Sequence, residues 1–150
     1  MQTGFNVRVY GIMINDLKQV LVTDEYIRGG YYTKFPGGGL EFGEGTLECM
    51  VREWREELAQ DVRVVEHIYT TDFFQISAFD NETQIISIYY LVEAISPFTA
   101  QTLSKPFDFK VPEGVPEVEY ARWIDWEDFS AEAVTLPIDK VVADMVKARY

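Results

Sequence analysis

Residues 36–39 read Pro-Gly-Gly-Gly. A proline followed by three glycines forbids regular secondary structure and permits backbone angles that other residues avoid. The chain must therefore change character there, and it does. Before the run, residues 5–14 are rich in β-formers, with Val7, Val9, Gly11 and Met13 on one parity. Asn15-Asp16 reads as a turn, residues 19–23 as a second strand, Arg28-Gly29-Gly30 as another turn and residues 31–35 as a short extended piece. After the run the period shifts. Leu47, Met50, Val51, Trp54 and Leu58 follow the i, i+3, i+4, i+7 pattern of one buried helical stripe. Thr46 is placed to cap that helix, with Glu48 near the positive end of its dipole.

Further along, residues 62–77 and 84–94 read as strands joined by a turn at Asp80-Asn81. Pro97, Pro106, Pro112 and Pro116 break up residues 96–116, a connection of a length that is often functional. Within it the alternation of Phe107, Phe109 and Val111 predicts a short strand. A last strand is expected over residues 119–124. A closing helix is expected over residues 137–149, with Pro137 at an early position and Val141, Val142, Met145 and Val146 facing inward. The order of strands, helix, strands, helix predicts an α/β fold, a mixed sheet covered by helices, in a single domain over residues 1–150.

Charge narrows the function. The formal net charge is −12, and such a chain repels a nucleic-acid backbone, whose binding rests on Lys and Arg. A small phosphorylated ligand is still admissible, because a divalent cation bridges carboxylates to phosphate and reverses the local sign of charge. Cys49 is the single cysteine, which excludes an intramolecular disulfide and a cysteine zinc cluster. No apolar run approaches the roughly 18 residues of a membrane span. A cytoplasmic setting without nucleic-acid or membrane partners is the expectation.

The chemistry concentrates in residues 38–60. At about 100° per residue, Glu53, Glu56 and Glu57 share one helix face within an arc of about 100°. Acidic residues on a helix face are usually only a solvated surface. Here, however, like charges at i, i+4 cost a few tenths of a kcal/mol per pair, and hard cations such as Mg²⁺ or Mn²⁺ take oxygen ligands of this kind. Arg52 stands four residues before Glu56 and is spaced to hold it. Glu44 stands just before the helix. Gly38 and Gly39, lacking side chains, let backbone carbonyls approach a metal or backbone amides approach a phosphate.

This stretch resembles the Nudix box, G-x5-E-x7-R-E-U-x-E-E-x-G-U, where U is bulky and apolar. Gly38, Glu44, Arg52, Glu53, Glu56 and Glu57 fall on its fixed positions, and Trp54 takes the first U. Ala59 stands where the family has glycine and Gln60 where it has an apolar residue. Both departures bear on the helix-to-strand turn rather than on the carboxylates, and Val62 is spaced to supply the apolar anchor two places late. The resemblance implies a Nudix-like α/β/α sandwich, a mixed β-sheet packed between helices. It also implies hydrolysis of a phosphoanhydride bond in a nucleoside diphosphate linked to another moiety, with Mg²⁺ or Mn²⁺ as cofactor. By the same resemblance Glu53, Glu56, Glu57 and the backbone of Gly38 hold the metal, Arg52 orients Glu56, and Glu44 supports the network. The general base is left between a box glutamate, such as Glu56 or Glu57, and a glutamate on the loop before the last strand: Glu119, Glu117 or Glu113. Its partners are then a small nucleotide-derived substrate and, as is common in the family, a second copy in a homodimer.

Two subfamily markers are missing. No proline occurs between Pro36 and Pro97, and Ile76, Ser77 and Ala78 occupy the place of a dinucleoside-polyphosphate tyrosine. Phe5, Tyr10, Tyr31, Tyr32, Phe73, Phe74, Tyr89 and Tyr90 fall on predicted strands as candidate cleft aromatics. His67 is assigned no role. The competing reading is a Nudix-like sensor that binds nucleotides without turnover, but such domains usually lose box glutamates and none is lost here.

Overall fold

The computed structural model describes residues 4–150. Its elements are β1 (Gly4–Ile12), β2 (Gln19–Ile27), β3 (Gly30–Lys34), β4 (Gly37–Gly39), α1 (Thr46–Leu58), β5 (Val62–Thr70), β6 (Thr83–Ala94), β7 (Thr102–Leu103), β8 (Glu117–Asp125) and α2 (Pro137–Arg149), with two single 3-10 turns before α2. They form two four-stranded sheets, β4-β1-β6-β5 and β3-β2-β8-β7. Each is mixed, with β1 parallel to β6 and β7 parallel to β8 while the other pairings are antiparallel. Among the described residues no helix is long and apolar enough to cross a membrane.

The period of two along the central strands builds the layers. Val9 of β1, Met13 just after it and Leu21 of β2 pack with Cys49, Met50, Trp54 and Leu58 of α1. The intervening residues, Tyr10, Ile12, Val20 and Val22, pack with Ile138, Val142, Ala143 and Val146 of α2. Strand residues of one parity thus feed one helix and those of the other parity feed the second, and the result is an α/β/α sandwich.

Several local expectations change. The glycine run is not irregular: Gly37, Gly38 and Gly39 pair antiparallel with Tyr10, Val9 and Arg8. Glycine is required because the strands come too close for side chains, a Cβ at Gly37 standing 2.0 Å from the Val9 carbonyl oxygen. Thr46 is the first helical residue rather than the cap. Gly45 takes the cap position, its amide donating to Glu48 Oε1 at 3.0 Å, while the Thr46 hydroxyl pairs with Tyr90 Oη at 2.6 Å. Leu47 is 54% exposed, since the first turn of α1 overhangs the sheet, and Val51 is only partly buried. In α2, Val142 and Val146 are buried, whereas Val141 and Met145 flank the core.

β5 ends at Thr70, short of residue 77, and residues 71–82 form a connection closed by a lone bridge between Ile76 and Gln84. Phe107–Val111 is not a strand, and the strand in that region is β7. Phe107 adopts φ 54°. Its amide donates to Asp24 Oδ2 at 3.2 Å, a buried carboxylate also held by Arg122 at 2.7 Å. The aromatic alternation there covers the sheet edge, Phe107 against Tyr31 and Phe109 against Tyr120, with ring centroids 5.5 Å apart in both pairs.

The helix exit keeps its shape without glycine. Ala59 sits in the left-handed region at φ 51°, ψ 36°. The Ala59 amide donates to the Arg55 carbonyl at 3.1 Å and the Gln60 amide to that of Trp54 at 3.3 Å, closing the helix in the manner of a Schellman turn. Gln60 is fully buried, its Nε2 donating to the Asp61 and Ser96 carbonyls at 2.8 and 2.9 Å. The amide is tolerated where an apolar side chain was expected because these carbonyls lie within its reach, and Val62 beside it joins the α1 core.

Candidate functional site

Arg52 organises the acidic helix. Its Nε and Nη2 grip Glu44 through both carboxylate oxygens, at 2.9 and 2.7 Å. Nη2 also donates to the Gly39 carbonyl at 3.1 Å, and Nη1 donates to Glu53 and to Glu56, each at 3.1 Å. A planar fork of five donors makes such a hub possible where a lysine would not. Glu44 is held to about 2, first by these Arg52 bonds and then by the Glu41 amide. Glu53 is buried, with its carboxyl group in the space a side chain at Gly38 would fill: a Cβ there would stand 2.5 Å from Glu53 Oε2.

Glu57 is not among the partners of this hub and faces Glu119 of β8 across the cleft. Both residues reach solvent, yet they line a cleft with Glu25, and the charge of Glu53 is close by. Partial withdrawal from water, then this repulsion, holds both above the ordinary carboxylate range. Glu119 lies in β8, which starts at Glu117, and not on the loop before it. Glu113 does not line the cleft, whereas Glu117 does. His67 hydrogen-bonds Thr70 at 2.8 Å on an exposed stretch of β5.

The cleft has a volume of ≈ 360 Å³, within the ordinary range for small-molecule sites. Arg8 and Tyr10 of β1, Glu25 of β2, Lys34 of β3 and Glu57 and Glu119 line it, together with Tyr89 of β6 and Asp139 at the start of α2. Of the candidate aromatics Tyr10 and Tyr89 line this space; Phe5 and Phe74 are 70% and 68% exposed. Several of these residues escaped the sequence reading. Glu25 is buried, accepting from Thr23 Oγ1 at 2.7 Å and pairing with Lys34 at 3.5 Å. The available signal was the further alternation of β2 to Ile27, beyond the expected end at Thr23. Asp139 is fully buried and accepts from Tyr89 Oη at 2.6 Å. Its Oδ2 has no hydrogen-bond partner among the described residues.

Among the described residues no group of three or more His, Cys, Asp or Glu is placed to hold a metal ion. The three helix carboxylates do not converge: Glu53 and Glu56 are drawn to Arg52 and Glu57 to Glu119. What the structure brings together is an arginine-centred clasp, with Glu53 against Gly38, and a like-charged pair, Glu57 and Glu119, in the cleft.

A mixed β-sandwich between two helices, with Glu57 of the acidic helix face lining a cleft, makes an α/β/α domain. The chain belongs to the NUDIX domain family, which it matches over residues 4–145, and is a pyrophosphohydrolase of that family. Solved structures share the fold at low identity. A NUDIX hydrolase from Nitrosomonas europaea is 20% identical with TM-score 0.67, covering 96% of this chain and 89% of its own. The mutator MutT protein from Bacillus halodurans is 20% identical with TM-score 0.66, covering 95% and 82%. An ADP-ribose pyrophosphatase from Streptococcus suis is 10% identical with TM-score 0.55, covering 97% and 92%. No curated protein matches the chain.

Proposed function

We propose that the protein hydrolyses the pyrophosphate bond of a nucleoside diphosphate linked to another moiety (a nucleoside triphosphate, nucleotide sugar, ADP-ribose or dinucleoside polyphosphate) with the help of Mg²⁺ or Mn²⁺. The observation that carries this reading is the acidic face of α1, where Glu53 rests against Gly38 and shares the Arg52 clasp with Glu56, while Glu57 lines the cleft with Glu119 and Glu25. The donor set fits a hard divalent cation. All its members offer oxygen, and a cation held between Glu57 and Glu119 would relieve the repulsion of this like-charged pair.

Glu53, Glu56 and Glu57, with the carbonyl of Gly38, would hold the ion. Its contribution when bound is to neutralise charge on the phosphoryl oxygens and to acidify the attacking water. The remaining work falls to the chain. Arg52 fixes Glu53 and Glu56 in orientation, and Glu44 fixes Arg52. Glu119, across from Glu57, is the carboxylate placed to accept the proton of the attacking water.

The test incubates purified protein with Mg²⁺ or Mn²⁺ and a panel of nucleoside triphosphates, nucleotide sugars, ADP-ribose and dinucleoside polyphosphates. Metal-dependent release of phosphate, pyrophosphate or a nucleotide is expected from at least one compound, and Glu57→Gln should abolish it. Without any substrate, millimolar Mn²⁺ should raise the melting temperature, because an ion that binds only the folded state stabilises it. Turnover that survives both EDTA and Glu57→Gln would overturn the proposal.

A further inference from the structure

Three cations line the cleft, Arg8, Arg28 and Lys34, and the two that lie on β-strands are treated unequally. Lys34 is neutralised by Glu25 at 3.5 Å. Arg8 has no such partner: among the described residues no carboxylate lies at ion-pairing distance from it. Its one side-chain hydrogen bond runs from Nε to Tyr10 Oη, at 2.6 Å. The remaining N–H donors of the fork are uncommitted. In a chain of net charge −12, an arginine that lines a cleft with glutamates yet pairs with none is held back for something else.

Its position says for what. Arg8 is the register partner of Gly39 on β4, and Nη1 lies 3.7 Å from where a Cβ of Gly39 would stand. The adjacent glycine, Gly38, is the one against which the Glu53 carboxyl rests. The fork lines the same cleft as Glu57 and Glu119. Tyr10 sets its direction twice, through the Nε bond and through its ring, whose centroid lies 5.6 Å from the guanidinium carbon.

We propose that Arg8 is a specificity-determining residue that binds a substrate phosphate, taking non-bridging oxygens of the phosphoryl group next to the one engaged at the glutamates. The inference rests on the proposed phosphoanhydride substrate. Guanidinium and phosphate match as paired donors and acceptors, a geometry an ammonium does not reproduce. Tyr10 acts through Arg8, as a positioning residue.

The experiment uses the full chain and the variants Arg8→Gln, Arg8→Lys and Tyr10→Phe. Calorimetry with inorganic pyrophosphate is set beside steady-state kinetics on the best compound of the panel. Arg8→Gln should raise both the pyrophosphate Kd and KM by about tenfold to a hundredfold, the worth of a charge-assisted hydrogen bond, with kcat within about threefold. Arg8→Lys should recover part of the loss, and Tyr10→Phe should raise KM by less than Arg8→Gln. Mn²⁺ affinity, read by the electron paramagnetic resonance of the free ion, should stay unchanged in all three. A pyrophosphate Kd and KM within twofold of wild type in a folded Arg8→Gln protein would overturn the inference. So would a fall in kcat at unchanged KM, or a wild-type protein that does not bind pyrophosphate. Should Arg8→Gln fail to fold, Arg8→Lys decides by the same readings. Absence of turnover in the wild type would remove the proposed function, while the pyrophosphate measurement still reads Arg8.

Discussion

Both helices of the sandwich span 13 residues and each buries one stripe against the sheets, but they treat carboxylates in opposite ways. On α1 the acids sit along the rim, most of them in contact with solvent, and Arg52 shares its donors among Glu44, Glu53 and Glu56. On α2 one of the two acids, Asp144, is exposed, and the other, Asp139, is fully buried and offered one hydroxyl, that of Tyr89. The acids of α1 are many, partly hydrated and organised by a cation. The buried acid of α2 stands alone and dry. Substitutions at the two helices should therefore differ in kind, those on α1 reading out in rate and those on α2 in stability and its pH dependence.

The largest effect is expected at Glu57. Its replacement by Gln should lower kcat by about 10²–10⁴-fold, as loss of a ligand or proton acceptor does, with a melting temperature close to wild type. A comparable loss of folding stability would break the contrast. Next comes Arg52→Lys, which keeps the charge and loses the fork. The rate should fall by about 10–100-fold, as on loss of a residue that orients metal ligands, and Mn²⁺ affinity should weaken in parallel.

Asp139 supplies the stability test. Burial, opposed by the Tyr89 hydrogen bond and Lys34, raises its carboxyl from 3.8 to about 6. The fold thus prefers the protonated acid. Its contribution is fully present below about pH 4, is lost as pH rises through about 6, and leaves an ionised group costing up to about 3 kcal/mol at higher pH. Asp139→Asn should therefore unfold at higher denaturant than wild type at pH 8 and lose that advantage at pH 4. An advantage independent of pH would show that the carboxyl is not the source. The smallest effect belongs to the exit of α1. Ala59→Gly, at φ 51°, should stabilise by about 0.5–1 kcal/mol in chemical denaturation, since glycine enters the left-handed region without a Cβ penalty, and should leave the rate unchanged.

How much of this was legible depends on distance along the chain. Glu53, Glu56 and Glu57 lie on one helix, so helical periodicity placed them on a common face, with Arg52 one turn before Glu56, while Glu44, ahead of the helix, was joined to them by the resemblance to the Nudix box. The helix itself was legible from Met50, Trp54 and Leu58. Leu47 misled, because apolar character at the right spacing says nothing about whether the sheet extends that far. Phe107 and Phe109 misled in the same way, alternating as strand residues do while a buried carboxylate on β2 held their backbone in a turn.

Local order was thus written into the sequence: the acidic helix face, the glycines before it, the closing helix after Pro137 and the two-residue period of the strands. These depend on neighbours within a few residues, whose geometry a regular backbone repeats. Only the tertiary structure decided that Arg52 would gather Glu53 and Glu56 while Glu57 turned to Glu119, that Lys34 would be spent on Glu25, and that Arg8 would be left uncommitted at the cleft. Those outcomes arise where strands and helices distant in sequence meet, and there the pairing of each charge is set by which partners the packing brings within reach.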